Sequence, residues 1–216
     1  MPLENSGNML FMLLALVQRL GVESAKGWLP PYMPMLRAWT DELVRTTLFP
    51  ANQICTDDFT GPLANNTNLG QKGIVAIRAY AELCMLMGLD GAPDGAHHDA
   101  RVDCASYAKT ASKYAHVWEK YAYSATGPHY KMSYNDLPGI SESWSFKYNL
   151  LWQRILNLDG PFDYDSIAKV ETAWYASKVN AYGTPMDPRH QCAPCRRCGA
   201  TQAAPLDPAV PSIRSP

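Results

Sequence analysis

The chain has 216 residues, of which 47% are hydrophobic and 11% aromatic, and its formal net charge is −1. This apolar content is enough for one globular domain or two small ones, and it excludes a chain that is disordered throughout. The near-zero charge argues against nucleic-acid binding, which normally requires a basic surface. All 6 Trp, 12 Tyr and 5 Phe precede residue 184. We therefore expect a folded part at residues 1–190 and a disordered or aberrant Pro/Arg/Cys-rich tail at residues 191–216.

The longest apolar run covers residues 9–17 and is too short to cross a membrane core of about 30 Å. It also does not resemble the apolar part of a signal peptide. Glu4 stands where such a peptide carries a positive charge, and no small-residue cleavage site follows. We therefore expect a buried helix here, with no membrane segment and no export signal in this chain.

The six cysteines form two groups. Cys55, Cys84 and Cys104 stand alone in the sequence and are expected to be free or buried thiols, because no spacing pairs them. A C-x2-C-x2-C run at residues 192–198 could hold a metal, or it could reflect composition alone. We favour composition, because no fourth ligand has matching spacing and no predicted helix or strand would hold the ligands. We therefore expect no metal and no cofactor.

Helical periodicity dominates the folded part. An apolar helix followed by an amphipathic helix is predicted three times, over residues 6–20, 35–48, 71–87, 98–121, 146–158 and 164–180. One segment, residues 129–134, alternates and predicts a short hairpin or an extended loop. Hairpins of this kind form a two-layer, all-α array in which the apolar helices are covered on both sides.

In such an array alternate helices are parallel, so the segments that enter the first, third and fifth helices should meet at one end. A connecting segment as long as residues 50–70 is uncommon in a compact domain and is usually functional or disordered. Helix N-termini also favour carboxylates and anions. We expect these polar and aromatic residues to gather there: Glu4, Asn8, Asp57, Asp58, Asn65, Asn68, Trp144, Lys147 and Asn149.

Each of these residues also has a structural interpretation. Asp57 and Asp58 could turn or cap the loop, and Glu4 could take part in a capping interaction. The asparagines could serve as turn and N-cap residues. Trp144 could belong to the core, but its Ser-Trp-Ser setting at a predicted helix start indicates partial exposure, as at a ligand-stacking surface.

Carboxylates grouped with amides suit general acid–base hydrolysis. Glycoside cleavage needs a pair of carboxylates, and carboxamide hydrolysis can combine an acid or base with an amide that stabilises an oxyanion. Spacing alone does not separate these two reactions. The chain contains no G-x-S-x-G elbow, P-loop or G-x-G-x-x-G sequence.

Four stretches carry unusual motifs in a fixed order: SGNML at residues 6–10, QICTDDF running on to LANNTNL at 53–69, WSFKYNL at 144–150 and YGTPMDPR at 182–189. Together they resemble the fungal and bacterial glutaminase A family, within its C-terminal six-hairpin domain. The resemblance covers residues 1–190 and implies a partial (α/α)6 toroid, an architecture that many glycosidases share. It also implies a secreted, extracellular protein with a preceding β-rich domain, and hydrolysis of L-glutamine to L-glutamate and ammonia.

The candidate site is placed on the matching motifs. Asp57 and Asp58 are the first candidates for acid–base or substrate-amine contacts, and Glu4 is their partner carboxylate. Trp144 and Lys147 are expected to form a wall and a carboxylate anchor. The full substrate-binding set is Asn8, Asn65, Asn68, Trp144, Lys147, Asn149 and Asp187.

This chain departs from the family in extent, because six hairpins contain about twelve helices and only half that number is predicted here. We therefore expect a part of a larger ring with exposed apolar edges, which lacks the β-rich domain and need not be active alone. The expected substrate is a small molecule, glutamine or else a glycan. An inactive helical scaffold is the third alternative.

Overall fold

A computed structural model describes residues 1–56, 61–93, 101–140, 142–181 and 183–190. The predicted all-α hairpin class is confirmed, and the described residues contain isolated antiparallel bridges but no β-strand. None of the helices in these ranges is both long and apolar enough to cross a membrane. The α-helices are α1 (Pro2–Leu20), α2 (Val22–Lys26), α3 (Met33–Thr46), α4 (Thr67–Leu86), α5 (Cys104–Ala122), α6 (Leu151–Ile155) and α7 (Tyr164–Ala176). Short 3-10 turns lie at Pro30–Tyr32, Tyr148–Leu150 and Pro188–His190.

Helix α4 is the centre of the fold. It packs against α1, α3 and α5, and 17 of its 20 residues are buried. It begins four residues earlier than its apolar pattern predicts, because the Asn66 side chain caps it by accepting a hydrogen bond from the backbone N–H of Leu69 at 3.1 Å. The additional first turn carries the buried polar side chains of Thr67 and Asn68 beside the apolar Leu69, and it is this turn that positions the candidate site.

Helix α1 buries one face and exposes the other. Leu10, Phe11 and Leu14 are fully buried, and the Phe11 ring stacks on Trp152 with centroids 4.8 Å apart. The opposite face exposes Met12 and Leu16. The expectation that the first helix is covered on both sides is therefore wrong within the described residues, although it is correct for α4.

The α4–α5 hairpin is closed by a disulfide between Cys84 and Cys104. The expectation of unpaired thiols is wrong for these two residues, because the turn between them brings the last turn of α4 beside the first turn of α5. Cys55 is a buried thiol, as expected. Helix α5 begins after Asp103, whose side chain accepts from the Ser106 N–H at 2.9 Å, and not at residue 98.

The fifth predicted helix is mostly absent. Residues 143–147 have no regular secondary structure, and only Leu151–Ile155 of the predicted helix is α-helical. The backbone N–H of Phe146 donates to the Met186 carbonyl at 2.9 Å, and that of Lys147 donates to the Tyr175 hydroxyl at 2.8 Å. These distant partners satisfy backbone groups that a helix would otherwise have used.

Two further sequence expectations can be compared with the structure. Residues 129–134 form an extended loop, held by isolated bridges from Tyr130 to Tyr123 and from Ser133 to Asn66. Helix α7 ends at Ala176 rather than at residue 180, and a turn follows. The predicted tail at residues 191–216 lies outside the described residues.

Candidate functional site

The N-terminal ends of α1 and α4 lie side by side, as the parallel arrangement of alternate helices predicts. The Glu4 carboxylate on α1 forms an ion pair with the Lys72 ammonium on α4, and their side chains are 2% and 3% exposed. Lys72 Nζ also donates to Asn8 Oδ1 at 2.9 Å. The Thr56 hydroxyl, in the segment that leads into α4, donates to the same Glu4 Oε1. Three parts of the chain therefore meet at one carboxylate.

The segment before α6 reaches the same end of α4. The backbone N–H of Asn149 donates to Asn68 Oδ1 at 3.3 Å, and its Nδ2 donates to the Asn68 carbonyl at 3.0 Å. Asn68 and Lys72 are four residues apart on α4 and so share one face of the helix. Glu4, Asn8, Asn68 and Asn149 are thus brought together around the first two turns of α4.

Lys72 was missed by the sequence analysis. Its signal was a cation four residues after Asn68 in a helix that is otherwise almost uniformly apolar. The third helix was expected to begin near residue 71, and no role was assigned to Lys72. The four-residue extension places it in the second turn, where α1 covers it.

Several buried polar atoms at this end have no hydrogen-bond partner among the residues that the structure describes. They are Glu4 Oε2, Asn149 Oδ1 and both amide atoms of Gln71, which lies beside Lys72 on α4. A buried polar atom without a partner is unfavourable by about 1–3 kcal/mol, so native proteins have few of them. Their grouping here is typical of a site that binds a polar ligand or ordered water.

Two of the three proposed catalytic residues have no described position. Asp57 and Asp58 directly follow Thr56 in the sequence and lie outside the described residues. Asn65 is half-buried and has a left-handed backbone with φ of 55°. Its backbone N–H donates to the Pro50 carbonyl at 2.7 Å, and its carbonyl accepts from the Tyr134 N–H at 3.1 Å. This geometry matches the alternative interpretation of Asn65 as a turn residue.

The expectation that Trp144 is partly exposed is wrong. The residue is 1% exposed, and its ring packs 6.2 Å from that of Phe146 and 6.0 Å from that of Tyr175, between centroids. Trp144 lies in the irregular segment that leads to α6, in contact with Tyr175 of α7, and not at the start of a helix. It belongs to the core and presents no stacking surface.

The expectation that Lys147 offers its ammonium to a substrate carboxylate is also wrong. Its Nζ donates to the carbonyls of Tyr130 at 3.1 Å and Ser145 at 2.8 Å, and to the Ser145 hydroxyl at 3.2 Å. These three bonds use all three donors of an ammonium group. Burial lowers the pKa of Lys147 to about 8, against the opposing attraction of the Glu171 and Asp187 carboxylates.

Asp187 is engaged within the protein as well. It is 3% exposed, and its carboxylate accepts from the Arg189 backbone N–H at 2.8 Å and from the Arg189 guanidinium at 2.7 and 3.1 Å. Its position near Lys147 indicates that it balances buried positive charge. Asp187 and Lys147 therefore have other hydrogen-bond partners than Glu4 and Lys72.

A cavity of about 260 Å³ lies between residues 146–151 and α7. Its lining is mainly apolar and aromatic, and Lys147, Glu171 and Tyr175 also contribute to it. These three polar side chains form hydrogen bonds with each other and with the backbone: Glu171 accepts from the Tyr175 hydroxyl and from the Tyr130 N–H.

Within the described ranges, no three His, Cys, Asp or Glu residues are grouped so that they could hold a metal ion.

Comparison with known proteins places this geometry in a family. The family model described as the glutaminase A six helical-hairpin domain matches residues 1–198. Glutaminase A of Aspergillus oryzae is 36% identical over 192 residues, which cover 88% of this chain and 25% of that protein. A protein of Arthroderma benhamiae named "Probable glutaminase" is 33% identical over 193 residues, covering 77% of this chain and 20% of that protein. No solved structure matches the chain significantly.

This chain therefore spans about a quarter or less of the length of these curated relatives. The family match, in contrast, covers all the residues that form the described helices and the Glu4–Lys72 pair. On this evidence the chain belongs to the glutaminase A six helical-hairpin family.

Proposed function

We propose that the protein of which this chain is a part hydrolyses the side-chain carboxamide of L-glutamine to L-glutamate and ammonia. One observation carries the proposal beyond family membership. The buried Glu4 carboxylate lies where three chain segments meet, paired with Lys72 and in contact with the hydroxyl of Thr56, a residue that is exposed. A carboxylate held in this way can accept a proton from an attacking hydroxyl group.

The neighbouring amides fit recognition of a polar substrate. The oxygen of Asn8 is engaged by Lys72, and that of Asn68 is engaged by Asn149. Each of these asparagines therefore directs its Nδ2 donor away from those contacts. Such donors can stabilise the negative charge that develops on the carboxamide oxygen in the transition state.

In this proposal Glu4 is the base, and Asp57 or Asp58 is the acid that protonates the departing ammonia. Breaking a C–N bond requires that the leaving nitrogen receive a proton, and these two aspartates follow Thr56 directly in the sequence. No cofactor is needed for this chemistry. Asn8, Asn68 and, through Asn68, Asn149 complete the proposed site.

The proposal extends to partners and location. Because the chain spans only 25% and 20% of its curated relatives, we propose that full activity also needs other parts of the protein, including the family's β-rich domain. The Cys84–Cys104 disulfide supports an extracellular location, since disulfides persist mainly in oxidising compartments.

The test is ammonia release from L-glutamine, measured beside a panel of glycans. We expect release from glutamine and no cleavage of the glycans. Glu4→Gln and the double variant Asp57→Asn, Asp58→Asn should each lower turnover at least about 100-fold. Asp165→Asn makes the same chemical change at an exposed position of α7 and should not alter turnover. Cleavage of a glycan without ammonia release would overturn the proposal in favour of a carbohydrate-active toroid.

A further inference from the structure

We propose that Thr56 is the nucleophile of this reaction, with Glu4 as its base and Lys72 as the group that orients the base. The inference rests on the proposed carboxamide hydrolysis and deepens it. It predicts that the reaction proceeds through an ester between the Thr56 side chain and the acyl group of the substrate, rather than by direct attack of water.

The first support is the contrast in solvent exposure between Thr56 and the buried polar residues around the first turns of α4. Thr56 is exposed, whereas Glu4, Lys72, Asn68 and Asn149 are each at most 2% exposed. A substrate that approaches this end of α4 from solvent can reach the Thr56 hydroxyl first. The carboxylate that receives its hydrogen bond is shielded from water. The exposed hydroxyl and the buried base are already in contact.

The second support is the way in which the base is held. An activated hydroxyl nucleophile typically contacts a base that a third group orients. Here the Thr56 hydroxyl donates to Glu4 Oε1, the Lys72 ammonium donates to the same oxygen, and Asn8 accepts from Lys72. The three contacts link side chains from α1, the segment before α4, and α4 itself.

The third support is the unused acceptor on the base. Glu4 Oε2 is buried and has no hydrogen-bond partner among the residues that the structure describes. If Glu4 served only to neutralise Lys72, both oxygens would be expected to be satisfied. An unsatisfied acceptor on a buried carboxylate fits a catalytic group better than a purely structural one.

The neighbouring thiol is a weaker candidate nucleophile. Cys55 is 5% exposed, and its Sγ accepts from Asn66 Nδ2 at 3.4 Å. Asn66 also caps α4, so Cys55 lies against the start of that helix inside the protein. Attack by Cys55 would require the segment before α4 to turn over, whereas attack by Thr56 requires no such movement.

The reaction balances without an oxidant or a further reactant other than water. The Thr56 oxygen bonds to the carboxamide carbon as its proton passes to Glu4. The C–N bond then breaks as the acid of the proposed function protonates the nitrogen, which leaves as ammonia, and a γ-glutamyl ester remains on Thr56. The proton held by Glu4 replaces the one that this acid has given. Water then attacks the ester carbon and gives a proton to Glu4, which returns it to the threonine oxygen as the C–O bond breaks and glutamate leaves.

The test compares Thr56→Val, which removes the hydroxyl at nearly constant volume, with Thr56→Ser, which keeps it. We expect Thr56→Val to lower ammonia release by about 10³-fold or more and Thr56→Ser to retain activity within about tenfold. Cys55→Ala is the matched control one residue away, outside the proposed machinery. All variants should have wild-type melting temperatures within a few degrees, which separates loss of chemistry from loss of folding.

Two further measurements detect the covalent step. Hydroxylamine added to the glutamine reaction should divert the ester to γ-glutamyl hydroxamate. A diazoketone analogue of glutamine should alkylate the Thr56 oxygen as its diazo carbon is protonated and N₂ leaves, and peptide mass mapping should locate the label there. In Thr56→Val the label should be absent.

The outcomes separate this inference from the proposed function. Ammonia release that persists in Thr56→Val, or that gives no hydroxamate in the wild type, would overturn the role of Thr56 and leave glutaminase activity intact. A label on a residue other than Thr56 would overturn it too. An absence of both ammonia release and labelling in the full-length wild-type protein would overturn the proposed function together with the inference.

Discussion

The Lys72 ammonium and the Glu4 carboxylate form an ion pair between α4 and α1, and at most 3% of either side chain is exposed. Removal of one member of a buried pair leaves an uncompensated charge and typically destabilises by about 3–5 kcal/mol. We expect Lys72→Met to lower the free energy of unfolding by that amount, measured by chemical denaturation. The double variant Glu4→Gln, Lys72→Met should recover much of the loss.

Lys26→Met is the matched control for this prediction. Lys26 pairs with Glu23 at 2.7 Å, but the two side chains are 50% and 87% exposed, so its loss should change the unfolding free energy by less than about 1 kcal/mol. Strictly additive effects in the Glu4, Lys72 double variant would show that the two side chains do not interact in solution.

The disulfide between α4 and α5 should contribute measurably to stability. Cys84 and Cys104 are 20 residues apart in the sequence, and closing a loop of about that length stabilises by roughly 3 kcal/mol in the chain-entropy model. We expect the double variant Cys84→Ala, Cys104→Ala to melt at a lower temperature, and a reducing agent to have no further effect on it. Cys55→Ala should keep the wild-type response to reducing agent, because the disulfide joins Cys84 and Cys104 and does not include Cys55.

The fold and the position of the site follow from sequence to different extents. Apolar period and helix order were sufficient to predict an all-α hairpin array and the meeting of Glu4 and Asn8 with Asn68. The side-chain environment of Trp144 was not predictable in the same way. The burial of Trp144 depends on where the following helix begins. Hydrogen bonds from the backbone N–H groups of Phe146 and Lys147 to distant residues delay that helix start.

Contacts between residues far apart in the sequence were the second feature that the sequence did not predict. Lys72 and Glu4 are 68 residues apart in sequence, and their contact follows from the additional first turn of α4, which a single capping residue, Asn66, creates. The contact also depends on the packing of α1 against α4, which no local sequence pattern specifies. Cys84 and Cys104 were likewise paired by a hairpin turn whose geometry no spacing rule specifies.

Position 73 of α4 requires glycine, because α4 approaches Thr47 at the end of α3 closely there. A Cβ at this position would lie 2.6 Å from Thr47 Cγ2 and 2.9 Å from Thr47 Cβ, which is overlap rather than contact. Ala normally stabilises a helix interior by about 0.5–1 kcal/mol relative to Gly, but overpacking typically costs about 1–3 kcal/mol. We expect Gly73→Ala to be destabilising on balance.

Thermal denaturation checks this prediction, with two comparisons. At Gly27 the nearest atom to an added Cβ is 3.4 Å away, so Gly27→Ala should change the stability little. Adding Thr47→Ala to Gly73→Ala removes the overlapping Cγ2 and should recover part of the loss. If Gly73→Ala is as stable as the wild type, α3 and α4 do not approach as closely as described.

His129 should make stability depend on pH. Its ring stacks on Trp174 with centroids 3.8 Å apart, and its Nε2 donates to the Ser143 carbonyl at 3.1 Å. Its buried Nδ1 has no partner among the described residues, so a proton there would lack an acceptor. Burial lowers the pKa of His129 below its ordinary value of 6.5, with Lys147 contributing, although the Ser143 carbonyl and Glu171 oppose this shift.

The sign of the effect follows from this lowered pKa. Between the folded and unfolded pKa values the unfolded chain binds more protons, so the contribution is complete above pH 6.5 and decreases as the pH falls below 6.5. We expect His129→Gln, which keeps a donor but does not titrate, to show a flatter decrease of the unfolding free energy between pH 7 and about pH 5. His116→Gln, at an exposed position of α5, should retain the wild-type slope.

The exposed face of α1 should drive association of this chain. Met9, Met12, Leu16 and Leu20 recur every three or four residues and are 38–54% exposed, so they form one apolar stripe along the helix. A contiguous stripe of this kind tends to be covered by another surface. We expect the chain to elute above its mass of 23.9 kDa in size-exclusion chromatography with light scattering.

Charge placed in the stripe should reverse this behaviour. Met12→Lys combined with Leu16→Lys should return the measured mass to that of one chain, because a self-contact would then bury four like charges from two copies. Met35→Lys is the control, since Met35 is 43% exposed but lies on α3. Equal mass distributions for the wild type and the double variant would show that the stripe does not mediate association.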